Sequence, residues 1–258
     1  MTFPNYAAKH IQATPLVTPE RFLRHLRESG QVAEDFVPPA GIILLYQRPY
    51  ARALLAREPH RPSAPFPEWF HLLERTNGRV GVLAFFGIGG PAVAVAVELL
   101  AALGTRRFVN LGAAGGLQTG DRVGDLIVCE GALRDEGLSH HYLPPARYAV
   151  PSAELTDALA DKLLAGGQPF KRGATWTIDA PYRETAEELR HYRDEGVLTV
   201  EMEAAAVFAV AQHRGLQAAA AFVLSDTLTD TDWTPDFGSP EILRGLDILV
   251  EAAIEVLA

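Results

Sequence analysis

Short, nearly continuous apolar runs alternate with longer amphipathic stretches along this chain. Residues 41–46, 80–86, 107–111, 125–130 and 217–224 read as strands buried on both faces. Between them, 19–29, 91–103, 152–165, 183–195, 204–214 and 240–257 carry helical periodicity. The alternation predicts an α/β fold, with a largely parallel or mixed sheet covered by helices. Helix ends are legible. Pro91 suits a first turn, Gly104 and Gly215 suit helix stops, and Ser152 reads as an N-cap. The proline-rich segment 60–67, HRPSAPFP, is expected to be an extended loop. It is too short to separate independent domains. Residues 1–258 are therefore expected to form one domain, with 1–40 as an N-terminal extension packed on it.

The 258 residues are 48% hydrophobic, which suits a packed globule rather than a disordered chain. A formal net charge of −9 argues against nucleic acid or an anionic membrane surface as partner. The charge is uneven. Residues 1–61 hold eight Lys or Arg against five Asp or Glu, whereas 62–258 hold 15 against 27. The one cysteine, Cys129, excludes an intramolecular disulfide and a multi-cysteine metal centre. The first twelve residues lack the apolar core of a signal peptide. The most apolar stretch, 216–224, is far shorter than the roughly 20 residues that span a bilayer. These features predict a cytoplasmic protein.

Five segments could carry chemistry. In Phe86-Gly-Ile-Gly-Gly-Pro91 a strand runs into a glycine-rich turn and then a helix. Bare backbone at Gly89 can approach a ligand there, and helix-start N–H groups favour an anion. The spacing is not that of a dinucleotide fingerprint. Asn110-Leu-Gly-Ala-Ala-Gly-Gly-Leu117 ends a second strand in small residues, a surface on which a flat ligand can rest at Ala113, Ala114 and Gly115. Glu201-Met202-Glu203 joins two acceptors of sugar hydroxyls to an apolar side chain. An acidic helix N-terminus is the plainer explanation of the same residues. Ser225 and Asp226 close an apolar strand, where α/β proteins place chemistry; Asp226 reads as a general acid or as a helix cap. His140 and His141 are adjacent, so a metal pair is disfavoured, and no zinc-helix or serine-elbow motif occurs.

The order and spacing of these segments resemble the nucleoside phosphorylase-I family. The segments are Gly87-Ile-Gly-Gly-Pro91, Leu111-Gly-Ala-Ala-Gly-Gly-Leu117, Val123-Gly-Asp-Leu126, Val200-Glu-Met-Glu-Ala204 and Leu224-Ser-Asp226. The likeness covers about residues 40–258. It implies a central mixed sheet distorted toward a barrel and surrounded by helices. It also implies cleavage of a nucleoside N-glycosidic bond with phosphate as co-substrate and no other cofactor. By that resemblance Asp226 protonates a purine, and Glu203 holds the ribose hydroxyls. Met202 packs beside the sugar, with Glu201 and Ser225 next to it. His10 reaches the 5′-hydroxyl of a neighbouring subunit's substrate, so a dimer or a trimer of dimers is expected.

Departures from the family pattern fall at the phosphate positions. Tyr46-Gln-Arg-Pro-Tyr-Ala-Arg52 stands where a glycine and an arginine usually bind phosphate, leaving Arg48 and Arg52 as the candidates. Asn110 occupies the place of a second arginine, and Ala113 that of a hydroxyl residue. The base-stacking aromatic falls at Pro181, so Tyr182, Trp176 or Tyr142 is the candidate replacement. The leading expectation is a purine nucleoside phosphorylase. The alternatives are a nucleosidase that uses water, which Asn110 and Ala113 suggest, and a noncatalytic nucleoside-binding protein.

Overall fold

The computed structural model describes residues 13–229 and 231–258. Helix α1 (Pro19–Glu28) precedes β1 (Gly41–Leu45), α2 (Arg48–Arg57), β2 (His60–Pro62), β3 (Phe70–Leu73) and β4 (Val80–Leu83). Then come α3 (Gly90–Leu103), β5 (Arg107–Gly116), β6 (Leu126–Asp135), β7 (Tyr148–Ala149), α4 (Ala153–Ala165) and β8 (Lys171–Ile178). The chain continues through α5 (Ala186–Asp194), β9 (Thr199–Glu201), α6 (Ala204–Arg214), β10 (Gln217–Leu228), β11 (Trp233–Pro235) and α7 (Pro240–Leu257).

The strands form one mixed sheet, and five of them close a ring. The order β10–β6–β8–β9–β5 returns to β10 through a parallel β5–β10 pairing. Strands β1, β4, β3 and β2 continue outward from β5, and β11 pairs with β10. The expected sheet distorted toward a barrel is therefore present, with helices on both sides. Strand β1 shows why its run is apolar throughout: Ile42 and Leu44 enter the core under α1, α3 and α6. Ile43 and Leu45 enter the opposite core under α2, α4 and α7. Alternate side chains leave opposite faces of a strand, so only a strand covered on both sides is apolar at every position.

Differences from expectation have local causes. Strands β5, β6 and β10 run on beyond 111, 130 and 224, because their glycine-rich or polar tails still pair. The segment 60–62 is a strand, not a loop; it pairs with β3 at the end of the sheet order. An edge strand tolerates a proline, which lacks the N–H of the ladder. Ser152 does not cap α4 with its side chain, and its Oγ instead accepts from Ala218 N–H at 2.9 Å. Helix α2 buries only Tyr50, Ala51 and Leu54, too few apolar positions for its periodicity to stand out in the sequence. Among the described residues no helix is long and apolar enough to cross a membrane.

Helix α7 seals the barrel through a close approach at Gly245. A Cβ there would lie 2.5 Å from Val223 Cγ2 and 3.2 Å from Leu126 Cδ2. Helix propensity alone favours alanine by about 1 kcal/mol, but overpacking costs about 1–3 kcal/mol. Gly245→Ala is therefore expected to lower the urea midpoint. A raised midpoint would show that α7 slides without cost.

Candidate active site

A cleft of about 690 Å³ opens where the parallel strands β5 and β10 end. Its floor is Ala113, Ala114 and Gly115 from β5 with Ser225 and Asp226 from β10. Glu201 and Met202 form one side, Tyr182 and Glu184 another, and Trp233 and Phe237 stand at the rim. Opening at the carboxyl ends of parallel strands follows from the fold, since the chain leaves the sheet there and side chains turn inward.

The register of β10 against β5 shifts between Leu224 and Asp226, so Ser225 is an extra residue in the ladder. Such a bulge re-aims the side chains that follow it. Asp226 is buried, and both of its oxygens accept hydrogen bonds. Ser225 Oγ donates to Oδ1 at 2.6 Å, and Trp233 Nε1 donates to Oδ2 at 2.8 Å. Opposite it only glycine fits, because a Cβ at Gly115 would stand 2.6 Å from Leu228 Cδ1 and 3.1 Å from Asp226 Oδ2.

The Glu201-Met202-Glu203 segment sits where two helices start. Glu201 Oε2 accepts from the N–H groups of Glu203 and Ala204, at 2.8 and 2.7 Å, at the head of α6. Its Oε1 accepts from Thr177 Oγ1. Glu203 Oε1 accepts from Gly89 N–H at 2.5 Å, at the head of α3. Gly89 holds φ at +88°, a left-handed conformation that favours glycine. The anion at this glycine-rich turn is thus Glu203 of the chain itself. Burial pushes the Glu203 carboxyl above its ordinary range, and the charge of Glu201 adds to the shift. Burial raises Glu201 likewise, against the pull of its hydrogen bonds. Behind them the Tyr46 hydroxyl donates to Asn110 Oδ1 at 2.5 Å. Burial, then Glu203 and Glu201, raise the Tyr46 hydroxyl well above its usual value.

The sequence reading placed the whole floor together with Tyr182, Glu201 and Met202, whereas Gly89 and Glu203, also singled out there, do not line the cleft because they are bonded to each other. It missed two residues that bring polar groups to the cleft. Glu184 faces the cleft, and burial followed by the charges of Asp226 and Glu188 raises its carboxyl to about 7. Trp233 is the other. A carboxylate two residues after Tyr182 was a visible signal for the first; nothing in the sequence marked the second.

The candidate phosphate residues are not gathered in the cleft. Arg48 and Arg52 are exposed and do not line it, whereas Pro49 and Tyr50 of the same helix do. Positions i and i+4 share a helix face, so Arg48 and Arg52 turn outward together. Asn110 is buried on β5, and its Nδ2 lacks a hydrogen-bond partner, as does Gln47 Oε1. Among the described residues no Lys, Arg or His lines the cleft, and no cluster of His, Cys, Asp and Glu could hold a metal ion. Tyr182 is almost fully exposed at the mouth. Trp176 is buried instead, with its Nε1 donating to Asp135, and Tyr142 packs on His213, so neither of them lines the cleft. His10 lies outside the described residues.

Carboxyl acceptors and apolar walls, with no Lys, Arg or His among the described lining residues, suit a ligand that combines hydroxyl or N–H donors with an apolar face. The model of the phosphorylase superfamily matches residues 42–256, and the chain belongs to that superfamily. A guanosine phosphorylase of Halorubrum lacusprofundi is 36% identical over 174 residues, 64% of this chain and 72% of that protein. A uridine phosphorylase of Haemophilus influenzae is 32% identical over 167 residues, 59% of this chain and 65% of that protein. A DeoD-type purine nucleoside phosphorylase of Clostridium perfringens is 28% identical over 171 residues, 65% of this chain and 73% of that protein. The match to the uridine enzyme thus spans just under two thirds of that relative.

Glu184 makes the site pH-sensitive. Its folded value near 7 exceeds the ordinary 4.5, so the native state binds more protons than the unfolded one between those values. Its contribution to stability is present below about pH 4.5 and is lost as pH rises through 7. Glu184→Gln is expected to leave the urea midpoint nearly unchanged at pH 4.5 and to raise it relative to wild type at pH 8. Equal midpoint differences at both pH values would contradict this assignment.

Proposed function

We propose that this chain is a nucleoside phosphorylase, a pentosyltransferase that splits purine nucleosides reversibly into free base and pentose 1-phosphate. The observation that carries the reading is Asp226, buried at the cleft floor beside bare backbone, in a cleft that Glu201 and Met202 also line. In the reaction a phosphate oxygen bonds to C1′ of the sugar while the bond from C1′ to the base nitrogen breaks. The electron pair of that bond moves into the base. A purine receives a proton at N7, and Asp226 is the group placed to give it, a service worth about 10²–10⁴-fold. Glu203 accepts from the ribose hydroxyls, and Met202 covers the apolar sugar face. Glu184 offers an acceptor for N–H groups of the base. Likeness to a guanosine phosphorylase supports the purine reading, while likeness to uridine phosphorylases makes uridine the necessary control.

We further propose a single-domain, cytoplasmic homo-oligomer, a dimer or a trimer of dimers, that needs phosphate and no other cofactor. It would bind neither nucleic acid nor membrane. Hydrolysis by water is the second reading. It is favoured by the cation-free lining of the cleft and by the outward placement of Arg48 and Arg52.

A panel of guanosine, inosine, adenosine and uridine, run with and without phosphate, decides between them. Pentose 1-phosphate formed only with phosphate supports the proposal; free pentose formed at the same rate without phosphate overturns it in favour of hydrolysis. Asp226→Asn is expected to lower kcat on purine nucleosides by about 10²-fold or more. Glu203→Ala is expected to raise KM and lower kcat together, because ribose contacts tighten in the transition state. A pure stability effect in the second variant would remove the ribose role.

A further inference from the structure

Trp233 is an unusual residue for its place. It is 53% exposed, yet its one polar atom points inward to a buried carboxylate. A large aromatic ring half in water forgoes about half of the gain that full burial would bring, so core packing alone does not explain it. The β10–β11 hairpin explains how it is aimed. Leu228 pairs with Trp233, Thr227 with Thr234 and Asp226 with Pro235. Trp233 and Asp226 are therefore diagonal neighbours on one face of the hairpin. The turn is held by its own bonds, with Thr229 N–H donating to the Asp232 carbonyl at 2.9 Å and Asp232 N–H to Thr229 Oγ1 at 3.0 Å. Asp236 N–H donates to the Ser225 carbonyl at 3.1 Å and ties the far strand to the bulge. Phe237 flanks the indole, ring centroid to centroid 6.0 Å.

We infer that Trp233 is the positioning residue of the acid: its indole N–H fixes Asp226 Oδ2, while Ser225 fixes Oδ1, so that the carboxyl is presented to the base in one orientation. This rests on the reading of Asp226 as the proton donor. An indole N–H only donates. It can orient a carboxyl group without competing for the proton that the carboxyl delivers. Two donors, one on each oxygen, stop rotation about the Cβ–Cγ bond. The proton then faces the cleft rather than the protein. The ring itself closes the rim and keeps water off that oxygen.

The test uses two substrates that differ in their need for an acid. Guanosine must be protonated at N7 as it leaves. 7-Methylguanosine already carries a positive charge on that ring and leaves without a proton. Trp233→Phe keeps the ring and removes the donor. With guanosine, its kcat is expected to fall about 10-fold, the scale of a hydrogen bond to a charged group, with KM within about threefold of wild type. With 7-methylguanosine it is expected to stay within about threefold of wild type. Equal losses on both substrates would reduce Trp233 to a wall of the cleft and overturn the inference, as would no loss on either. Asp226→Asn run beside it separates the two readings. If that variant cleaves guanosine like wild type, the acid assignment fails; if it is impaired and Trp233→Phe is not, only the positioning role fails. A readout independent of turnover is the indole N–H resonance of Trp233, identified by its loss in Trp233→Phe. It is expected to move upfield in Asp226→Asn, and an unmoved resonance overturns the inference.

Discussion

Two helix starts meeting over two buried carboxylates hold the centre of this molecule together. An isolated ionised carboxyl in the interior is costly unless donors surround it. Here the amides at the heads of α3 and α6 supply those donors, and their dipoles add positive potential at the same point. Glu201 is mostly engaged in starting α6, through Oε2 on two backbone amides and Oε1 on Thr177. Glu203 bridges to α3 through Gly89. The two helices pack against each other, so the carboxylates are the joint between them, and Glu201 also lines the cleft. A change at either glutamate alters the joint as well as the chemistry.

The other half of the site depends on the closeness of β5 and β10. Their parallel pairing closes the barrel, and the bulge at Ser225 turns Asp226 toward the cleft. Small residues at 113–116 serve both ends at once. They let β9 and β10 come near, and they leave backbone exposed to whatever lies on the floor.

Much of this is readable in the order of residues. The apolar runs reveal the central strands because strands covered on both faces have nowhere to place a polar side chain. Periodicity defines helices α6 and α7 to their bounds, with Gly215 marking the end of the first. The small residues of 110–117 mark the floor and the acidic segment 201–203 marks a helix start beside it, which the order of the two along the chain ties to one site. What escapes has weaker local signals. Strand β8, KRGATWTI, carries threonines and an exposed start, and its pairing with β6 and β9 is set by the barrel rather than by its own pattern. The exposure of Arg48 and Arg52 depends on their lying in a helix, which a ten-residue segment with three buried positions does not announce. Trp233 meets Asp226 only because a hairpin folds seven residues back on themselves, a proximity that no spacing rule encodes.

The floor also limits how this site can diversify. A side chain added at Gly115 would stand 2.6 Å from Leu228 Cδ1 and 3.1 Å from Asp226 Oδ2, so substitution there must shift Leu228 and crowd the buried carboxyl. Room for variation is left to the segments that stand over it: the turn at Pro181–Arg183 with Glu184, and the rim from Trp233 to Leu243. A lineage built on this scaffold would therefore alter its preference among bases by editing the rim while inheriting the floor unchanged. Stability and substrate choice would then evolve on separate stretches of the chain.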